Sequence, residues 1–296
     1  MSPLPSWLET AIFYQIYPQS FYDSNGDGVG DIPGIIAKLD YIQSLGVTAL
    51  WINPCFVSPF QDAGYDVADY YTVAPRYGTN EDLKRLFAEA RQRGIRVLLD
   101  LVPGHTSIEH PWFKASARHE RNPYTDWYIW TDSVWITPPS PLQVVRAYAE
   151  RNGGYITNFF YSQPALNYGF ALPDPAHPWQ QPVDAPGPQA VRAEIRNIIK
   201  FWLEQGASGF RVDMAGSLVK GDVQSVETAR IWREIRTWLD ANYPEAVLVS
   251  EWGCPIQAIN QAGFHIDFAL TWGGMPGALS LFRKASGDGP RQDPYG

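Results

Sequence analysis

Two short apolar runs that each end in an acid constrain this chain most: Gly209-Phe210-Arg211-Val212-Asp213-Met214 and Val247-Leu248-Val249-Ser250-Glu251-Trp252. Each has the pattern of a buried parallel strand that delivers a carboxylate at its C-terminal tip. A helix-length segment, residues 228–242, separates them, so the unit reads strand–helix–strand. In a parallel barrel adjacent strands end on the same face, where functional side chains collect. Asp213 and Glu251 are therefore expected side by side at one mouth. Arg211 lies two residues before Asp213 and shares its face of the strand. A lone acid is more often a solvated cap or a partner for a base. A guanidinium placed here instead serves to hold Asp213 ionised and oriented, as a nucleophile requires. Two carboxylates about 5 Å apart suit a retaining glycosidase, in which one attacks the anomeric carbon and the other protonates the leaving oxygen.

The composition agrees with a soluble globular chain, 45% hydrophobic and 18% charged. A net charge of −8 with no basic run argues against nucleic acid or an anionic membrane as partner. Cys55 and Cys254 are the only cysteines, too few for a disulfide framework, and read as small buried side chains near strand ends. Residues 1–7 lack a basic segment followed by an apolar core, and no apolar run approaches the ~20 residues of a membrane span. A reducing, cytoplasmic setting is the expectation.

Taken in order, residues 11–18 form the first strand, 32–45 an amphipathic helix and 49–53 the second strand. Residues 80–93 follow as a helix capped by Thr79 or Asn80, then 95–102 as the third strand, carrying Asp100. Regular periodicity then fades across a Pro-, Trp-, Tyr- and Asn-rich stretch. Residues 191–205 read as the returning helix, 209–214, 246–252 and 264–270 as strands four to six, and 277–284 as a final short helix. The fold class is α/β, a TIM-type (β/α)8 barrel with an excursion after strand three. Residues 1–102 and 187–296 are the two parts of the barrel, and 103–186 the inserted domain. Six βα units are countable where such a barrel has eight. The chain is thus expected to stop before strands seven and eight, and this polypeptide alone to be poorly active.

Between the first strand and first helix lies Asp23-Ser24-Asn25-Gly26-Asp27-Gly28-Val29-Gly30-Asp31. Oxygen-bearing side chains at alternate positions, spaced by glycines, suit a structural Ca2+ or Mg2+. The ligands would be Asp23, Asn25, Asp27, the Val29 carbonyl and Asp31. The loop resembles the start of an EF-hand but has Gly34 at the twelfth position, and such residues also make turns without metal.

Four short blocks, in order, resemble signatures of the α-amylase superfamily, glycoside hydrolase family 13. They are Gly64-Tyr65-Asp66 through Arg76-Tyr77-Gly78-Thr79, Asp100-Leu101-Val102-Pro103-Gly104-His105, Gly209 to Asp213, and Ser250-Glu251-Trp252. The resemblance implies Asp213 as nucleophile, Glu251 as general acid/base and Arg211 as the residue orienting Asp213. It also implies that His105 bonds a hydroxyl of the bound sugar, Tyr65 stacks on its ring, and Asp100 supports the site from beneath. Asp62 resembles the acid with which exo-acting members grip the non-reducing end, so α-glucosides or malto-oligosaccharides are the expected substrates.

Three departures stand out. Gly104 occupies the place of an Asn, Ala165 replaces an acid in Gln163-Pro164-Ala165-Leu166-Asn167, and the His-Asp pair that supplies a third acid is missing. Asp174 is a possible substitute for the acid lost at Ala165, and His265-Ile266-Asp267 reads as a strand-packing decoy. A transglycosylase or isomerase, and an inactive binding subunit, remain alternatives within the same family.

Overall fold

Six short runs of β-branched, aromatic and aliphatic residues pair side by side, all parallel, in the computed structural model, which describes residues 4–268. They are β1 (Phe13–Ile16), β2 (Ala49–Ile52), β3 (Arg96–Leu101), β4 (Gly209–Val212), β5 (Val247–Ser250) and β6 (Ile266–Asp267). Their order in the sheet follows the chain, β1-β2-β3-β4-β5-β6, as in one side of a βα barrel. Every residue of β4 and β5 is buried, as expected of strands covered on both faces.

Leu101 pairs with Val212, and Val212 with Ser250. The ladder runs one residue further: the Asp213 amide donates to the Leu101 carbonyl (2.8 Å) and the Glu251 amide to the Val212 carbonyl (2.9 Å). That register brings the two acids level at the carboxyl ends of neighbouring strands.

The strands are shorter than the apolar runs that announce them, because pairing stops where the backbone turns to present side chains at the mouth. Two helix expectations need correction. Residues 32–45 are not one helix but two, α1 (Ile32–Ala37) and α2 (Leu39–Ser44). At Lys38 the amide reaches back to Ile35 as well as Ile36, tightening the turn and breaking the i−4 ladder. Ile32, Ile35, Leu39 and Ile42 are all fully buried, so the apolar period continues through the break. Helix α3 (Asn80–Gln92) begins with a capping box between Thr79 and Asp82. The returning helix α4 is Pro186–Gln205, starting five residues before the expected 191. Pro186 and Pro188 sit in its first turn, where a missing N–H costs nothing. The boundary expected at 186 therefore falls at the first turn of α4. Helix α5 is Val226–Asn242. The expected helix at 277–284 lies outside the described residues.

Between β3 and α4 the chain forms a short helix, Pro111–Ser116, and an antiparallel hairpin of Val144–Arg146 with Gly154–Ile156. Part of this segment has its own small core of Ile129, Ile156, Ala165, Phe170 and Trp179. Phe113, Tyr128, Tyr155 and Leu166 instead join the main core with the barrel helices. Both cysteines are free, Cys55 buried and Cys254 partly exposed. Among the described residues no helix is long and apolar enough to cross a membrane.

Trp202 of α4 ties barrel to mouth. It is fully buried, stacks on Phe56 at 5.1 Å and donates from Nε1 to the Tyr70 carbonyl at 2.8 Å. Trp202→Ala should lower the unfolding free energy by about 3–5 kcal/mol, read from urea melts. A loss under about 1 kcal/mol would show that this contact is dispensable.

Candidate active site

The centre of the mouth is Arg211, 5% exposed on β4. Its Nη1 donates to Asp100 Oδ1 and to Asp213 Oδ1, both at 2.9 Å, and its Nη2 pairs with Glu251 Oε2 at 2.8 Å. Its plane lies over the Trp51 ring at 4.9 Å. Burial opposes its charge, but the carboxylates, Asp100 foremost, hold its pKa above the usual arginine value.

Asp100 lies beneath, 1% exposed. It accepts from Trp51 Nε1 (2.8 Å) and the Tyr65 hydroxyl (3.0 Å) besides Arg211. Burial nevertheless raises its pKa to about 6. Asp213 is also pushed well above the carboxylate range, by burial and then by Asp100, against the pull of Arg211. Glu251, held on the same guanidinium, adds to the rise. Arg211 therefore orients Asp213 without holding its pKa low, since one guanidinium is divided among three carboxylates. The Met214 amide donates to Glu251 Oε2 at 3.0 Å, from a residue held at φ +44°.

Arg211, Asp213, Met214 and Glu251 line a cavity of about 670 Å³ together with Asp62, Tyr65, His105, Phe159, Gly216, Ser217 and Trp252. That is the size of a small-molecule site. Asp62 Oδ2 accepts from Gln163 Nε2 at 2.7 Å, and burial raises its pKa. His105, 1% exposed, bonds from Nε2 to the Tyr65 carbonyl at 3.2 Å. Burial pulls its pKa down to about 4, so the ring is neutral. The structure thus gathers Asp62, Tyr65, His105, Arg211, Asp213 and Glu251 around one space, with Asp100 bonded to Arg211 beneath it.

Sequence reasoning did not single out Trp51, Asn158, Phe159 or Lys220, nor give Gln163 a role. Trp51 stands in the second strand, half-buried, and an indole on a strand is ordinary core. Asn158 and Phe159 come from the stretch without periodicity, where no pattern marks them, and the segment that opens with Gln163 drew attention only to its lost acid at Ala165. Asp174 does not substitute at the site: its Oδ1 accepts from the Ala176 amide at 2.9 Å, and it sits half exposed beside His177. His265 packs against β5, exchanging two bonds of 3.0 Å with the Leu248 backbone.

The Asp23–Asp31 loop is wound on its own hydrogen bonds. Asp23 accepts from the amides of Asn25, Gly26 and Gly28, Asn25 from Asp27, and Asp27 from Val29. Asp31 caps α1 through Gly34 at 2.6 Å and takes Ser24 on its other oxygen. Gly34 is small by necessity, for a Cβ there would lie 2.0 Å from the Tyr22 carbonyl oxygen. Among the described residues no three His, Cys, Asp or Glu side chains are grouped as metal ligands. Any ion in this loop would rest partly on amide and carbonyl oxygens, a donor set that fits a hard cation.

The family profile described as the alpha-amylase catalytic domain matches residues 15–261. Oligo-1,6-glucosidase of Heyndrickxia coagulans is 42% identical over 224 residues, 73% of this chain and 37% of that protein. Among solved structures, an alpha-glucosyl transfer enzyme superposes with a TM-score of 0.76 at 31% identity, covering 95% of this chain and 57% of that one. A trehalulose synthase gives 0.76 at 31%, covering 96% and 55%. The chain spans between 36% and 44% of the length of the curated relatives it matches.

The native state binds the Asp100 proton more tightly than the unfolded chain, in which it leaves near 3.8. Asp100 thus contributes stability that is complete below about pH 4 and lost as the pH rises through 6. Asp100→Asn should flatten the decline in unfolding free energy between those values, followed by urea melts across the range. An unchanged slope would place that proton elsewhere in the cluster.

Proposed function

The chain belongs to the α-amylase catalytic-domain family, and from that premise we propose that it carries out retaining hydrolysis of α-glucosidic bonds in α-glucosides or malto-oligosaccharides. The observation that supports this most is the pair Asp213 and Glu251, bound to one guanidinium within one cavity. In this reading Asp213 attacks the anomeric carbon while Glu251 gives its proton to the departing oxygen, leaving a glucosyl ester on Asp213. A water then yields its proton to Glu251, and its oxygen displaces Asp213. Three carboxylates around one guanidinium favour retention of one proton in the cluster, which the first step consumes. Asp213 must surrender any shared proton to Glu251 before it can attack.

His105 lines the cavity and exchanges the Tyr65 carbonyl for a sugar hydroxyl at its Nε2–H when substrate binds, and Tyr65 serves as the ring platform. Asp62, held by Gln163, grips the terminal sugar, and Asp100 holds Arg211 and Tyr65 from below. The likeness to glucosyl-transferring structures favours a second outcome of the same chemistry, in which an acceptor sugar replaces water. The two free cysteines suit a reducing, cytoplasmic setting.

In a protein that carries all eight barrel strands, Asp213→Asn should lower turnover of an unactivated α-glucoside at least ~10³-fold, since an amide cannot form the ester. Glu251→Gln should spare substrates whose leaving groups need little protonation. Undiminished turnover by Asp213→Asn, or equal losses across leaving groups for Glu251→Gln, would remove these roles, whereas sugar binding without any turnover by the wild type would favour the inactive binding subunit.

The proposal extends to one Ca2+ or Mg2+ held by Asp23, Asn25, Asp27, the Val29 carbonyl and Asp31. Its role would be to brace the loop that leads into α1. Chelator should then lower the melting temperature without altering which bond is cleaved. An unchanged melting temperature with no ion in the loop would leave it an Asx-bonded turn.

A further inference from the structure

Gly104 precedes His105, and the space a side chain would take there is filled from elsewhere. A Cβ at Gly104 would lie 2.7 Å from Asn158 Nδ2, an amide contributed by the segment between β3 and α4. That Nδ2 is 3.1 Å from His105 Nδ1 and 3.7 Å from Met214 Sδ. The Asn158 oxygen accepts from Lys220 Nζ at 2.9 Å. Lys220 is 8% exposed and also donates to the Ser217 carbonyl at 3.2 Å. Burial lowers its pKa to about 8, so it carries its proton at neutral pH.

The directions of these bonds are determined by chemistry. An ammonium can only donate, so it takes the Asn158 oxygen and turns the NH2 toward His105. The imidazole must then accept at Nδ1, which leaves its proton on Nε2, where it donates to the Tyr65 carbonyl. The remaining N–H of the amide meets the Met214 sulfur, so both donors are used. Each link requires the one before it.

We propose that Asn158 is a positioning residue that fixes the tautomer of His105, and that position 104 is glycine because the Asn158 amide occupies its space. This rests on reading His105 as a sugar-binding side chain of the cavity. The tautomer can nonetheless be tested without any turnover. Histidine ring nitrogens are observed by 15N NMR in the full chain, and His105→Gln assigns its signals among the five histidines. The wild type should show His105 protonated at Nε2 alone. Asn158→Asp keeps the shape and the Lys220 contact but turns an acceptor toward Nδ1, so a proton should appear on Nδ1. Gly104→Ala should disturb the ring signals as Asn158→Ala does, because the new methyl displaces the amide. In the Asn158→Ala background Gly104→Ala should then add nothing further.

On an α-glucoside, Asn158→Asp and Gly104→Ala should each lose roughly tenfold in kcat/KM, and the Gly104→Ala, Asn158→Ala double variant no more than Asn158→Ala alone. A His105 ring that keeps only its Nε2 proton in Asn158→Asp, or losses from Gly104→Ala and Asn158→Ala that add, would overturn the proposal. If the ring responds as expected while the wild type leaves α-glucosides intact, the tautomer assignment stands and the hydrolase reading falls.

Discussion

A single buried guanidinium facing three carboxylates sets the arrangement of this barrel mouth. Arg211 needs partners because an isolated charge in the interior is untenable, and Asp100, Asp213 and Glu251 supply more than it can neutralise. Removing the guanidinium would leave three carboxylates uncompensated, at a cost of about 3–5 kcal/mol. Burial raises Asp100, and burial followed by the Asp100 charge raises Asp213, which makes a retained proton favourable. Trp51 and Tyr65 complete the satisfaction of Asp100 from the neighbouring strand and loop. The floor of the site is consequently closely bonded apart from Arg211 Nε, which has no hydrogen-bond partner among the described residues, while the cavity above it stays open.

The strands and the two principal acids were legible because a buried parallel strand writes a continuous apolar run and its end is marked by the first charge. β4 and β5 are the clearest case, and their register follows directly from pairing. Arg211 was legible as a neighbour on the same face, though its division among three carboxylates was not, because the third comes from β3. The break at Lys38 left no trace, since buried positions keep their spacing through it. Pro186 and Pro188 misled in the opposite sense: prolines suggest irregular chain, yet a first helical turn accepts them. Strand lengths were overread for a related reason, as apolarity persists past the point where pairing ends.

The segment between β3 and α4 is where sequence reading had least purchase, and it reaches into the site repeatedly. Gln163 holds Asp62, Asn158 meets His105, and Phe159 lines the cavity. The Lys220 amide donates to the Gly169 carbonyl, and its own carbonyl accepts from Ala171, stitching the turn after β4 to this same segment. Side chains used in this way are chosen by shape and bonding at a distance, so they carry no period and no motif. Only the missing side chain at Gly104, a departure within an otherwise familiar block, pointed toward the place where one of them would be found.

Met214 is under two demands that pull apart. Its backbone sits at φ +44°, a conformation that glycine or asparagine adopts with least strain, and from there its amide reaches Glu251. Its sulfur, meanwhile, receives the amide of Asn158, which neither of those residues could replace in reach or softness. A lineage that relaxes the backbone by substituting at 214 gives up the sulfur contact. One that keeps the sulfur keeps the strain. Routes through sequence space at this position therefore run through paired changes at 214 and 158, and the two sites, 56 residues apart in the chain, should drift together rather than independently.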